Sequence, residues 1–238
     1  MPTAPHVPHP RGLPGRPSAS RLVAKLDELS PYWEPQAVVA AAILLDLLLP
    51  ARLTVGPSWL LPSVEGLLLL GLGLASPHPR VRHSPVRRYM AILLIALVSG
   101  VNLYSLVELT RYLLHGQVSN GRELVYSGIA LWVTNVLLFG LWYFELDRGG
   151  PSARAQGEER YPDFLFVQMG EGAQFCQPGW MPRLIDYLYT SFTNATAFSP
   201  TDTMPLSAAA KWLMSLQALA SLTTLGLVVA RAVNILKG

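Results

Sequence analysis

Cysteine is almost absent from this sequence, and so is any grouping of residues typical of catalysis. The single cysteine, Cys176, excludes an intrachain disulfide and a cluster of thiolate metal ligands. No nucleophile and base recur at a catalytic spacing, and such chemistry needs groups within hydrogen-bond reach of each other. The five histidines fall in the N-terminal tail or in predicted loops: His6, His9, His78, His83 and His115. The sequence therefore predicts no enzyme, no catalytic residue, no metal site and no cofactor.

Charged residues are also scarce, at 14% of the chain, whereas hydrophobic residues make up 51% and the mean hydropathy is +0.33. This composition is unusual for a soluble domain and predicts a membrane protein. Five runs approach the ~20 apolar residues that cross a bilayer. They cover residues 36–54, 59–76, 89–114, 122–146 and 207–236. Because prolines interrupt the first two runs, residues 36–76 form either two spans or a re-entrant hairpin. We expect an all-α, polytopic protein of the cell (plasma or inner) membrane.

The N-terminal region has a different character. Residues 1–20 are rich in Pro, Arg, His and Ser and lack an apolar core, which predicts a disordered tail. Residues 21–34 carry leucines at helical spacing and suit an amphipathic helix on the membrane surface. The net charge of +3 comes from arginines in loops, which indicates contact with anionic lipids rather than with nucleic acid. The positive-inside rule places the tail and the arginine-rich loop 77–88 in the cytoplasm.

Polar residues inside the apolar runs call for an explanation, since an ionisable group at membrane depth is a functional hypothesis by default. Asp46 and Glu65 lie deepest. The favoured interpretation is that helix tilt brings them to the interface, or that one of them pairs with an arginine of a neighbouring helix. A polar stripe in the third run predicts interhelical hydrogen bonds. Its members are Ser99, Asn102, Ser105 and Glu108.

The stretch TNATAFSPTD, residues 193–202, is polar, contains no glycine and precedes the last apolar run. Pro182 and the residues after it predict a helix of about four turns, which is too short to cross a bilayer. Irregular backbone at membrane depth must be buried in protein or line a watery cavity. A long helix, a short helix, a polar loop and another long helix follow one another here, which is the order of a re-entrant pore loop.

The segment SFTNATAFSPTDTMPLSAAAK resembles, without a gap, the pore helix, filter and inner-helix start of potassium-channel-type pore domains. In that family the pattern Thr-Ala-Thr-Thr-Val-Gly-Tyr-Gly-Asp is followed by a proline, whose place Pro205 takes here. The filter-like residues are then Thr196, Ala197, Phe198, Ser199, Pro200, Thr201 and Asp202. The resemblance covers residues 183–236 and implies a homotetramer, with Leu222, Leu225 and Val229 lining the pore, Ser221 at the hinge and Gly226 at a second small position.

One departure from the family concerns selectivity. Ser199 and Thr201 occupy the positions of the two glycines whose backbone freedom aims the filter carbonyls inward, so strong potassium selectivity is not expected. Four copies of these residues and of Asp202 would offer hydroxyl and carboxylate oxygens to hard or partly hydrated cations. The expected permeant ions are monovalent or divalent cations. The alternative is that Asp202 only caps or pairs locally.

The whole chain also resembles an uncharacterised family of bacterial five-helix membrane proteins, through YPDF at residues 161–164 and ARAVNIL at residues 230–236. We expect peripheral helices over residues 35–118 and a pore-like module over residues 119–238. The module divides into an outer helix 122–146, a linker 147–181, a pore helix 182–197, a filter-like loop 198–205 and an inner helix 206–237. The predicted function is a tetrameric pore-loop cation channel. The alternative is a non-conducting scaffold or regulatory protein whose filter is sealed by Phe198 and Pro200.

Overall fold

The computed structural model is mostly helical. It describes residues 33–50, 53–54, 60–75, 85–114, 121–155, 161–176, 179–196 and 202–236. The helices are α1 (residues 33–47), α2 (Leu60–Ala75), α3 (Pro85–Leu114), α4 (Gly121–Leu146), α5 (Pro151–Ala155), α6 (Leu184–Thr196) and α7 (Ala208–Leu236). Two short strands, β1 (Phe164–Leu165) and β2 (Met204–Pro205), pair antiparallel. The predicted tail and almost all of the predicted surface helix lie outside the described residues.

Three of the described helices are long and apolar enough to cross a membrane, by length and composition: Val86–Leu113, Arg122–Gly149 and Ala208–Ala230. The apolar part of α2, Leu60–Gly71, is shorter. At 1.5 Å per residue, neither α1 nor α2 reaches the ~30 Å thickness of a bilayer core within its described length. The fold is therefore compatible with a membrane protein that has three full-length helices, and the two interpretations of residues 36–76 stay open.

Helix α4 lies at the centre, and the other long helices pack against it in the antiparallel direction. Toward α7, Trp132 contacts Ser221 and Tyr143 contacts Gln217, so residue numbers fall along α7 as they rise along α4. Toward α3, Trp142 donates to Ser99. The central position explains why α4 has the most buried of the three long apolar segments.

The peripheral helices pack against α3, and residues of α1 also share a buried cluster with residues of α4. Ser105 of α3 donates a hydrogen bond to the carbonyl of Leu53, which follows α1. Near the start of α3, Val39 of α1 and Leu69 of α2 line a cavity with Leu94. Helices α1 and α3 therefore run in the same direction, and α2 runs back between them.

Candidate functional site

The short helix α6 lies in the groove between α4 and α7. It is antiparallel to α4, because Tyr187 packs on Phe144 near one end and Ser191 donates to the carbonyl of Val136 one turn later. A close approach is possible because α4 has a glycine at the crossing. A Cβ atom on Gly140 would stand 2.6 Å from the side chain of Leu188 and 3.1 Å from its Cα. This contact leaves no room for a side chain on α4 at that level.

A buried polar network joins α6 to both long helices, and Gln217 of α7 is its centre. The Gln217 Oε1 atom accepts hydrogen bonds from the hydroxyl of Tyr143 at 2.5 Å and from Nδ2 of Asn194 at 2.8 Å. Its Nε2 atom donates to the carbonyl and the hydroxyl of Ser191, at 2.9 and 2.6 Å. Gln217 is fully buried. Because every polar atom of this side chain has a partner, the network fixes the register of α6 against α7.

The C-terminal end of α6 is held by a second group one turn further along α7. Ser221 donates from its hydroxyl to the carbonyl of Ala195 at 2.5 Å and accepts from Nε1 of Trp132 at 2.7 Å. The last carbonyls of a helix have no partner within the helix, so this bond satisfies one of them. Ser221 lies about 20 Å along α7 from Ala208. The end of α6 therefore sits beside the middle of α7.

The described chain resumes at Asp202, shortly before the start of α7. There β2 pairs with β1, with Phe164 opposite Pro205 and Leu165 opposite Met204. The backbone amide of Leu206 donates to the carbonyl of Asp163 at 2.8 Å. The segment thus enters the groove to the middle of α7 and ends beside the linker that follows α4.

That linker is organised around the buried carboxylate of Asp147, at the end of α4. Its Oδ1 atom accepts from the backbone amide of Asp163 at 2.8 Å, and its Oδ2 atom accepts from the hydroxyl of Tyr187 at 2.6 Å. Arg154 donates to the carbonyls of Phe144 and Asp147 and lies over the ring of Phe144. Burial raises the pKa of the Tyr187 hydroxyl above its ordinary value, so Tyr187 remains a proton donor. One carboxylate therefore ties α4, the linker and α6 together.

Of the predicted filter-like residues, the structure describes the two ends. Thr196 ends α6, and its hydroxyl donates to the carbonyl of Thr193 in the same helix. Asp202 is exposed and lines a cavity of ≈ 330 Å³ with Leu165, Phe166 and Met204 among others. Residues 197–201, which include Phe198, Ser199, Pro200 and Thr201, lie outside the described residues.

The residues predicted to line a pore lie on the outer face of α7. Leu222 and Val229 are 64% and 60% exposed, and Leu225 is half-buried. The same apolar face includes Trp212, Leu216, Leu219 and Val233. The opposite face is buried and carries Gln217, Ser221 and Thr224. The predicted hinge, Ser221, thus holds α6, and α7 is continuous through it and through Gly226.

The polar residues of the peripheral helices make only some of the contacts that the sequence predicts. Ser99 makes an interhelical hydrogen bond of the kind that the stripe predicts. Ser105 bonds instead to the carbonyl of Leu53, after α1, and Glu108 pairs with Arg111 of its own helix. Asp46 and Glu65 were expected at the interface or beside an arginine. Within the described residues, both are instead buried inside the protein, and their carboxylates have no hydrogen-bond partner. Neither pairs with an arginine in the described part of the chain, and their position at the membrane interface stays a prediction.

Comparisons with protein-family models, with curated proteins and with solved structures find no match. The resemblance to potassium-channel-type pore domains therefore stays a prediction.

Three residues central to this geometry were not identified from the sequence. Gln217 interrupts an apolar helix, and a polar side chain in such a helix commonly bonds to a neighbouring helix, so this signal was available. Asp147 and Tyr187 gave no comparable signal. Their contact depends on the fold of the linker, which brings together residues far apart in the sequence.

Proposed function

We propose that this chain is the subunit of a pore-loop cation channel in the cell membrane, a multi-pass protein that assembles as a homotetramer. In this proposal α4, α6 and α7 are the outer helix, pore helix and inner helix of each subunit. Residues 196–202 form a glycine-free filter at the shared axis, and α1 to α3 are peripheral. Residues 36–76 cross the membrane twice or form a hairpin.

The observation that carries the proposal is the position of α6. A helix of 13 residues is about 20 Å long and cannot cross a bilayer alone. It is nevertheless seated between two membrane-length helices, with its C-terminal end held by Ser221 near the middle of α7. The chain then returns to the start of α7, where Leu206 bonds to Asp163. Entry to mid-depth and return on the same side are what a re-entrant pore loop requires.

Assembly around a symmetry axis would bury polar backbone groups that a single subunit leaves exposed. A lone re-entrant loop would expose backbone polar groups to lipid, whereas symmetric packing buries them or turns them to water. The outer face of α7, with Leu222 and Val229 exposed, offers an apolar surface for that packing or for a cavity wall. In a closed symmetric tetramer the four copies of each residue form a ring. One Asp202 per subunit therefore gives four carboxylates at the mouth of the pore.

The filter sequence supports cation conduction with weak selectivity. The C-terminal end of a helix carries a partial negative charge, and four α6 ends pointing at an axis would favour cations. The side chains of Ser199, Thr201 and Asp202 supply oxygens, whereas two glycines would be needed for a stack of inward carbonyls. Sodium and potassium are therefore expected to pass at similar rates.

Flux through liposomes containing the purified protein tests the proposal. The wild type should pass cations in preference to anions. Asp202→Asn should lower cation flux most at low ionic strength, where charges are screened least. The matched control is Glu108→Gln, which removes a carboxylate that pairs with Arg111 of the same helix, near the end of α3 and outside the pore module. It should leave the flux unchanged.

Two results would contradict the proposal. A stable monomer in mild detergent by native mass spectrometry would remove the symmetric axis on which the filter depends. Absence of cation flux in both the wild type and Pro200→Gly, with insertion verified and pH and voltage varied, would favour a non-conducting scaffold that keeps the pore-loop arrangement.

A further inference from the structure

Two carboxylates lie buried on the peripheral helices α1 and α2, outside the pore-like module. Asp46 is on α1 and is 4% exposed, and Glu65 is on α2 and is 0% exposed. Among the described residues, none donates a hydrogen bond to any of their four oxygens. An ionised carboxylate without a partner in an apolar interior is very costly, so its charge has to be neutralised by something.

The two carboxylates are neighbours. The carboxylate of Glu65 lies within electrostatic range of that of Asp46. Ile43, one turn before Asp46, and Leu68, one turn after Glu65, belong to one packed cluster. Helix α3, which packs against α2, carries no charged residue between Arg88 and Glu108, near its two ends. No basic side chain in the described part of the chain compensates the pair.

A third buried polar group lies on α3, which packs against α2. The Oδ1 atom of Asn102 has no hydrogen-bond partner in the described structure, and this residue is 8% exposed. Along the same face of α3, Val98 belongs to the buried cluster that contains Ile43, and Ser105 bonds to the carbonyl of Leu53. The helical phase of α3 therefore directs Asn102 toward the C-terminal part of α1, which holds Asp46.

We propose that Asp46, Glu65 and Asn102 form a binding site for a hard divalent cation between α1, α2 and α3. Carboxylate and amide oxygens are the ligands that Ca²⁺ and Mg²⁺ take, and two carboxylates match the charge of one divalent ion. The described residues contain no group of three His, Cys, Asp or Glu side chains arranged for a metal, so the amide oxygen is the third ligand here. The site lies outside the pore-like module and does not depend on the proposed conduction.

Thermal unfolding of the full chain in mild detergent tests the site. After removal of metals with a chelator, CaCl₂ or MgCl₂ should raise the unfolding temperature of the wild type until the site is saturated. At one hundred times the dissociation constant the rise should be about 5–10 °C for a protein of this size. NaCl at equal ionic strength should give a much smaller change.

Substitutions test whether the cation-dependent rise in unfolding temperature depends on these residues. The double variant Asp46→Asn with Glu65→Gln and the single variant Asn102→Leu should lose most of the cation-dependent rise. Glu108→Gln removes a carboxylate that pairs with Arg111 near the C-terminal end of α3, and it should keep the full rise. In metal-free buffer the double variant should unfold at a higher temperature than the wild type, because it removes two buried charges.

Equilibrium dialysis with ⁴⁵Ca²⁺ supplies a measurement that needs no variant, and we expect one ion per wild-type chain. Binding of no ion would overturn the site. The site would also be overturned if neither cation changed the unfolding temperature of the wild type, while lowering the pH from 8 to 5 raised it and the double variant showed no such pH effect. That result would mean that protons alone neutralise the pair. An unchanged cation-dependent rise in the double variant would also overturn it.

Discussion

Replacement of Gln217 by leucine should loosen α6 from the two long helices. Leucine has a similar volume but cannot bond to the hydroxyl of Tyr143, which is fully buried and is left without an acceptor. Asn194 keeps its bond to the carbonyl of Met214, and Ser191 keeps its bond to Val136. An orphaned buried hydroxyl costs about 1–3 kcal/mol, and each lost interhelical bond in a membrane costs about 0.6 kcal/mol. We therefore expect a loss of about 2 kcal/mol in the free energy of unfolding.

The assay is equilibrium unfolding in mixed micelles of a mild detergent and SDS, followed by circular dichroism. Ser215→Ala is the matched control, because Ser215 lies exposed on the same helix and bonds only to the carbonyl of Lys211. In a double-mutant cycle, Tyr143→Phe removes the orphaned hydroxyl, so Gln217→Leu combined with it should cost less than the sum by about 1–2 kcal/mol. Equal stabilities of Gln217→Leu and Ser215→Ala would refute the reasoning.

Two more predictions use the same assay. Gly140→Ala should lower the free energy of unfolding by about 1–2 kcal/mol, since its Cβ would press on Leu188, whereas Gly100→Ala, with nothing within 4 Å, should be neutral or stabilising by up to about 1 kcal/mol. The same sign for both glycines would count against close packing of α6. Tyr187→Phe leaves one oxygen of buried Asp147 without its donor and should cost about 1–3 kcal/mol. An unchanged stability would show that this bond does not hold the linker.

The helices themselves could be predicted from the sequence because hydropathy and proline are local signals. Apolar runs of membrane length mark α3, α4 and α7, and Pro182 just before Leu184 marks the start of α6. Structure and sequence agree on a short helix followed by a polar segment. The number of crossings before α3 was not determined by the sequence, since prolines make the first two runs ambiguous.

The partners of polar side chains could not be predicted in the same way. Asp46 and Glu65 stand on different helices, and only the packing of α1 and α2 on α3 shows that they are neighbours. Hydropathy and helical spacing describe one helix at a time, so they do not show that the two carboxylates meet. Gln217 is a similar case, because its position in an apolar run indicates an interhelical bond but does not identify Tyr143 or Asn194 as partners.

A helix too short to cross a membrane depends more on contacts with neighbouring helices than a long helix does. Lipid tails supply little hydrophobic driving force between helices, so α6 depends on close packing and on hydrogen bonds. Gln217 and Ser221 provide these bonds from successive turns of α7, at a spacing that keeps both on one face. At the other end Asp147 holds both Tyr187 and the amide of Asp163, whose carbonyl in turn binds Leu206. The end of α4, the start of α6 and the start of α7 are thus joined through one buried carboxylate, and a disturbance there should reach both ends of the filter-like segment.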